Sequence, residues 1–131
     1  MLGNKIDNFN NVTPLIFKNL ITDFGFELKE IKTRFINSDK WSTHHQYLNI
    51  KLELEIKISQ EPYYTDYGFS VFLYNLKNNE HNVLCNVPHE KHDEGIDFLL
   101  NAHREIFSNS EIIKMLNGEN WEKFDCILIE K

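Results

Sequence analysis

The chain has 131 residues, of which 41% are hydrophobic and 13% aromatic, enough to fill one core and too few for two full domains. Fourteen Lys and Arg stand against 20 Asp and Glu, a formal charge of −6. That composition excludes a disordered chain, and the acidic balance argues against a general nucleic-acid binder, which needs cations to neutralise phosphates.

In chain order, residues 1–12 are polar with scattered Ile6, Phe9 and Val12, and read as a loose lead-in. Thr13-Pro14 is a helix-start signal, with Thr as N-cap and Pro at the first helical position. Leu15, Ile16, Leu20 and Phe24 follow at helical spacing, and Gly25 is the expected stop. Residues 26–36 mix two periods, which a strand with a bulge near Lys29-Glu30 reconciles. From Leu48 to Ile58, apolar and polar residues alternate strictly, predicting a long strand with one dry and one wet face. Glu61 to Asp66 reads as a connection, and residues 67–76 as a strand apolar on nearly both faces. Lys77-Asn78-Asn79-Glu80 suits a hairpin turn, because Asn tolerates positive φ. Residues 81–87 return as a strand ending at Pro88.

The period then becomes helical. Ile96, Leu99, Leu100, His103 and Phe107 share one face, behind acidic residues that suit a helix N-terminus. Ser108 or Ser110 is the expected cap of a continuation through Ile112, Ile113 and Leu116, which Asn117-Gly118 ends. Trp121 to Ile129 returns to strand character. The expected order is α-β-β-β-β-α-α-β: one α+β domain over 1–131, an antiparallel meander with helices on one face. Residues 48–58 or the terminal strand would then offer a sheet edge to a second chain, and the oligomeric state stays open.

No stretch approaches the roughly 18 apolar residues of a membrane span, and the N-terminus lacks the apolar run of a signal peptide. Cys85 and Cys126 sit in apolar surroundings and read as reduced, buried thiols, so the expected location is the cytoplasm. No catalytic motif emerges. The five glycines are dispersed, no G-x-S-x-G elbow occurs, and no cofactor is expected. Cys85, His89 and His92 with nearby carboxylates come nearest to a metal set. Their spacing fits no zinc motif and Lys91 intrudes, so no metal is expected. His103 reads as a histidine at the edge of the core; the functional alternative pairs it with Asp66 or Tyr67 as acid and base.

Two surface features remain. Tyr63, Tyr64 and Tyr67 surround Asp66 in the sequence Tyr-Tyr-Thr-Asp-Tyr, and such rings are rigid contact area at interfaces. The second is acidic. Residues 1–85 carry ten acids and nine bases, whereas 86–131 carry ten acids and five bases. Glu90, Asp93, Glu94 and Asp97 concentrate that excess and can steer a basic partner.

In these two segments, Tyr63 to Tyr67 and His89 to Asp97, and in its small acidic α+β character, the chain resembles the immunity proteins of bacterial polymorphic-toxin and contact-dependent inhibition systems. The resemblance implies a stoichiometric inhibitor, not an enzyme, that covers or distorts a toxin's active site. The protein partner would be a basic domain such as a nuclease, with no direct contact to nucleic acid or membrane. Two rival readings stand beside it. One is a small-molecule site or enzyme with a pocket lined by Phe69, Phe72, Tyr74 and His103. The other is a phage-encoded or regulatory adaptor.

Overall fold

The computed structural model describes residues 2–61, 68–88 and 97–129. The fold is α+β, as expected. Two helices, α1 (Leu2–Ile16) and the single turn α2 (Asn19–Thr22), precede five strands: β1 (Glu27–Ile36), β2 (Asp39–Asn49), β3 (Leu54–Gln60), β4 (Phe69–Asn75) and β5 (Glu80–Val87). Helices α3 (Asp97–Phe107) and α4 (Ser110–Leu116) and a two-residue strand β6 (Ile127–Leu128) follow. The sheet order is β1-β2-β3-β4-β5-β6. The first five strands form an antiparallel meander, and β6 joins β5 in parallel. One buried cluster joins Phe9, Phe17 and Leu20 with Ile56 and Ile58, with Phe69, Val71 and Leu73, and with Leu99, Ile106 and Ile112. The described helices therefore pack on one sheet face, and no described helix packs on the other, the bare face, where Ser42 and Ser59 are nonetheless buried.

The lead-in is not loose. Ile6, Phe9, Thr13 and Phe17 recur at helical spacing and are all buried, so they form the inner stripe of α1 and the turn after it. Thr13-Pro14 lies inside the last turn of α1 rather than at a start. A proline so near a helix end removes one intrahelical bond, a smaller loss than in mid-helix. Gly25, at φ +77°, turns the chain out of α2, and the Phe26 N–H donates to the Leu20 carbonyl at 3.0 Å. The bulge predicted near Lys29-Glu30 is present: the β1–β2 register slips between Leu28 and Glu30.

The long strand expected over 48–58 is instead two strands and a turn. β2 ends at Asn49, Ile50 to Glu53 turn with Glu53 at φ +57°, and β3 begins at Leu54. On β2 the inward positions are Thr43, His45, Tyr47 and Asn49; on β3 they are Leu54, Ile56 and Ile58. The parity changes across the turn, so Leu48 and Ile50 belong to no core stripe, and Ile50 is 72% exposed. The inward face of β2 is mostly polar, which hid this strand from hydrophobic periodicity. Two of these residues, Thr43 and His45, meet Asn10 of α1. The Asn10 side chain donates to Thr33 Oγ1 (3.2 Å) and accepts from Thr43 Oγ1 and His45 Nε2, both at 2.8 Å.

The hairpin at residues 77–80 holds, with Asn79 at φ +58°. The cap of α4 is Asn109, not either serine: its side chain accepts from the Ile112 N–H at 3.1 Å. Asn117-Gly118 ends α4 as expected, with Gly118 at φ +75°. Strand character over 121–129 shrinks to Ile127–Leu128, because the Asn82 side chain holds the backbone before it. Its amide donates to the Glu122 carbonyl (2.9 Å) and accepts from the Phe124 N–H (3.1 Å). No helix among the described residues is long and apolar enough to cross a membrane.

Candidate interaction surface

Strand alternation sends every second side chain to the bare face. On β1 these are Glu30, Lys32 and Arg34, on β2 His44 and Gln46, and on β3 Glu55 and Lys57. They line a shallow groove of about 340 Å³. On β4 and β5 the same face becomes aromatic. The Phe72 and Tyr74 rings lie 6.2 Å apart, Tyr74 and His81 lie 5.5 Å apart, and Lys57 Nζ stands 5.6 Å from the Tyr74 ring. Burial, with Glu55 and Glu61 adding negative charge, pushes the Tyr74 phenol up, so it stays neutral and can donate a hydrogen bond.

The chain enters segment 62–67 from Glu61 and leaves it at Gly68. These two roots are clasped together: the Glu61 N–H donates to the Gly68 carbonyl at 2.7 Å, and the Gly68 N–H to the Val87 carbonyl at 3.0 Å. Val87 precedes Pro88, where segment 89–96 departs. That segment ends at Asp97, and the neighbouring Phe98 ring lies 5.3 Å from Phe69, one residue beyond Gly68. All four roots therefore meet at one end of the sheet, although 21 residues separate Gly68 from Pro88 counted inclusively. Asp97 is exposed in the first turn of α3, where a carboxylate complements the helix dipole. Tyr63, Tyr64, Asp66, Tyr67, Glu90, Asp93 and Glu94 lie outside the described residues.

Beside this end lies a serine–histidine–carboxylate set that the sequence did not suggest. Ser59 Oγ is 3.0 Å from His44 Nδ1, and His44 Nε2 is 3.7 Å from Glu61 Oε1. Burial lowers the His44 pKa, opposed by Glu61, so the ring is neutral at pH 7. Ser59 is not a usable nucleophile. It is fully buried in a central strand, and the backbone N–H groups around it serve the β2 and β4 ladders rather than an oxyanion. The set reads as a polar rung, continued next door by Ser70 Oγ donating to Asn86 Oδ1 at 2.6 Å.

The pocket residues expected together are divided by the sheet. Phe69 and His103 lie on the helix-covered side, whereas Phe72 and Tyr74 lie on the bare side. His103 is a core-edge residue: its Nε2 is 3.1 Å from Asn19 Oδ1, and its ring sits between Phe17 and Phe107. The void beneath the helices between Phe17, Ile58 and Ile106 measures about 10 Å³, less than a small molecule needs. Cys85 is buried, with its thiol pushed up to about 12 by desolvation. Cys126 is exposed rather than buried, because the segment holding it runs outside the ladder. Among the described residues no three His, Cys, Asp or Glu side chains gather as a metal set.

The charged groove escaped sequence reading because it is a cross-strand object. Its residues come from three strands, one of them concealed by its polar inner face. The alternating charges of Glu53 to Lys57 were the available signal. Comparison with family models, with curated proteins and with solved structures returns no match.

Proposed function

We propose that this chain is a stoichiometric protein-binding inhibitor, an immunity protein that neutralises a cognate toxin domain of basic character. The observation that carries the reading is the convergence of Glu61, Gly68, Pro88 and Asp97 at one end of the sheet. The tyrosine-rich and acidic segments that the sequence singles out thus leave the frame side by side. Tyr63, Tyr64 and Tyr67, with Asp66 in the same segment, supply contact area, while Glu90, Asp93, Glu94 and Asp97 steer. Free thiols at Cys85 and Cys126 fit a reducing cytoplasm. The buried Ser59 and the divided pocket residues favour binding over catalysis.

The test takes as partner the product of the reading frame next to this chain's own, where the reading places the cognate toxin domain. A one-to-one complex is expected by calorimetry, with association that slows steeply as salt rises. Reversal of Asp93, Glu94 and Asp97 to Lys should slow association at least about tenfold at low salt. Tyr63→Ala and Tyr64→Ala should each weaken the complex by about thirtyfold, the equivalent of about 2 kcal/mol. Unchanged association in the charge-reversed protein overturns the steering role, and the absence of a complex overturns the function.

A further inference from the structure

Strand β1 is the long free edge of the sheet. It runs for ten residues, pairs only with β2 among the described strands, and is exposed at eight of its ten positions. Ile31, Phe35 and Ile36 stand 39%, 58% and 40% exposed on it. An edge of this kind presents unpaired N–H and C=O groups to any chain that can align with it. Charged residues on an edge normally prevent that alignment.

Between the two register slips of β1 lies an unbroken stretch, Glu30-Ile31-Lys32-Thr33-Arg34. Two copies meeting antiparallel about a two-fold axis normal to the sheet keep each side chain on its own face, so one of these five residues must oppose itself. Centring on Glu30, Lys32 or Arg34 sets like charges opposite each other, and centring on Thr33 opposes Lys32 to Arg34. Centring on Ile31 alone avoids this. It places Glu30 against Lys32 twice on the bare face and Ile31 against Ile31 on the helix face.

We infer that a second copy of this chain pairs with the first through β1, in the register that opposes Ile31 to itself. The occupant is chosen by charge complementarity: the sequence Glu-Ile-Lys is its own partner when reversed. The pairing removes two half-exposed isoleucines from water and completes the backbone bonds of both edges. It lies at the opposite side of the sheet from β5, and so does not depend on the inhibitor reading.

Analytical ultracentrifugation and disulfide trapping test the inference. The wild-type chain is expected to pass from monomer to dimer as concentration rises into the submillimolar range. Glu30→Lys opposes lysines at both positions and should weaken the dimer by about tenfold or more. The double variant Glu30→Lys, Lys32→Glu restores both pairs and should restore the dimer. Circular dichroism on each variant reports the fold. Register is read separately in a Cys126→Ser background. Ile31→Cys should oxidise rapidly to a disulfide-linked dimer, because opposed Cα atoms lie about 4.5–5.5 Å apart, within disulfide reach. Arg34→Cys should not, since its copies would lie about 20 Å apart. A wild-type chain that stays monomeric, a Glu30→Lys dimer of unchanged strength, or equal trapping at both cysteines overturns the inference.

Discussion

His45 shows how much one buried polar residue can govern. It is fully buried on β2, edge-on to Phe9 at 5.2 Å, and its Nε2 is 2.8 Å from Asn10 Oδ1. That oxygen only accepts, so Nε2 carries the proton. Nδ1 is left buried without a hydrogen-bond partner. Desolvation, with a smaller contribution from His44, lowers the His45 pKa to about 4. The unfolded ring titrates near 6.5, so protonation favours the unfolded chain. Stability is then full above pH 6.5 and falls as pH drops toward 4, by about 3 kcal/mol from this residue at the acid end. Burial lowers His44 and His103 in the same direction, and both add to the slope. Urea unfolding at stepped pH should show this decline, and His45→Gln should flatten it. An equal slope in that variant would remove His45 as the cause.

At the scale of elements, Gly118 joins two parts of the chain far apart in sequence. Its φ of +75° ends α4, and a Cβ there would stand 2.9 Å from Leu52 Cδ2, in the turn between β2 and β3. Gly118→Ala should therefore cost about 2 kcal/mol, through left-handed strain and displacement of Leu52, as thermal unfolding can measure. The sequence announced this helix end, the β1 bulge and the hairpin near Asn79, because each depends on local backbone chemistry. It concealed β2, whose inward Thr43, His45 and Asn49 satisfy Asn10, Asn10 and the Phe24 carbonyl in turn rather than a hydrophobic stripe. It concealed α1 behind Thr13-Pro14, a start signal placed at an end. It overstated the last strand, since no pattern in residues 121–126 reveals that a side chain, Asn82, would take the place of a neighbouring strand. Of the candidate surface, the acidic and tyrosine-rich segments were legible as composition. Their shared root and the groove beside them are products of pairing between strands and were not.

For the whole molecule, the two thiols report different events. Cys126 lies exposed beside β6, whereas Cys85 is enclosed by the core and pairs in register with Ile127. A thiol reagent at neutral pH should modify Cys126 first in the folded protein, slowed by the desolvation that raises its thiol, and Cys85 only at the rate of global opening. Equal reactivity of both would show that β5 opens on its own. Charge is also unevenly spread: the described residues 97–129 hold six acids and three bases, whereas β1 to Glu61 holds six of each. The helical residues 97–116 contribute three acids against two bases, and the stretch 117–129 that follows them three acids against one, so more of the excess sits after the helices than on them.

The clasp between Glu61 and Gly68 has a wider meaning. It closes the strand pair before the intervening residues begin, so β3 and β4 are aligned by bonds that the intervening stretch does not make. The pairing of β3 with β4 is therefore set from outside residues 62–67, and changes of length or chemistry between Glu61 and Gly68 should leave the ladder intact, as amide exchange at Ile58 and Val71 can check.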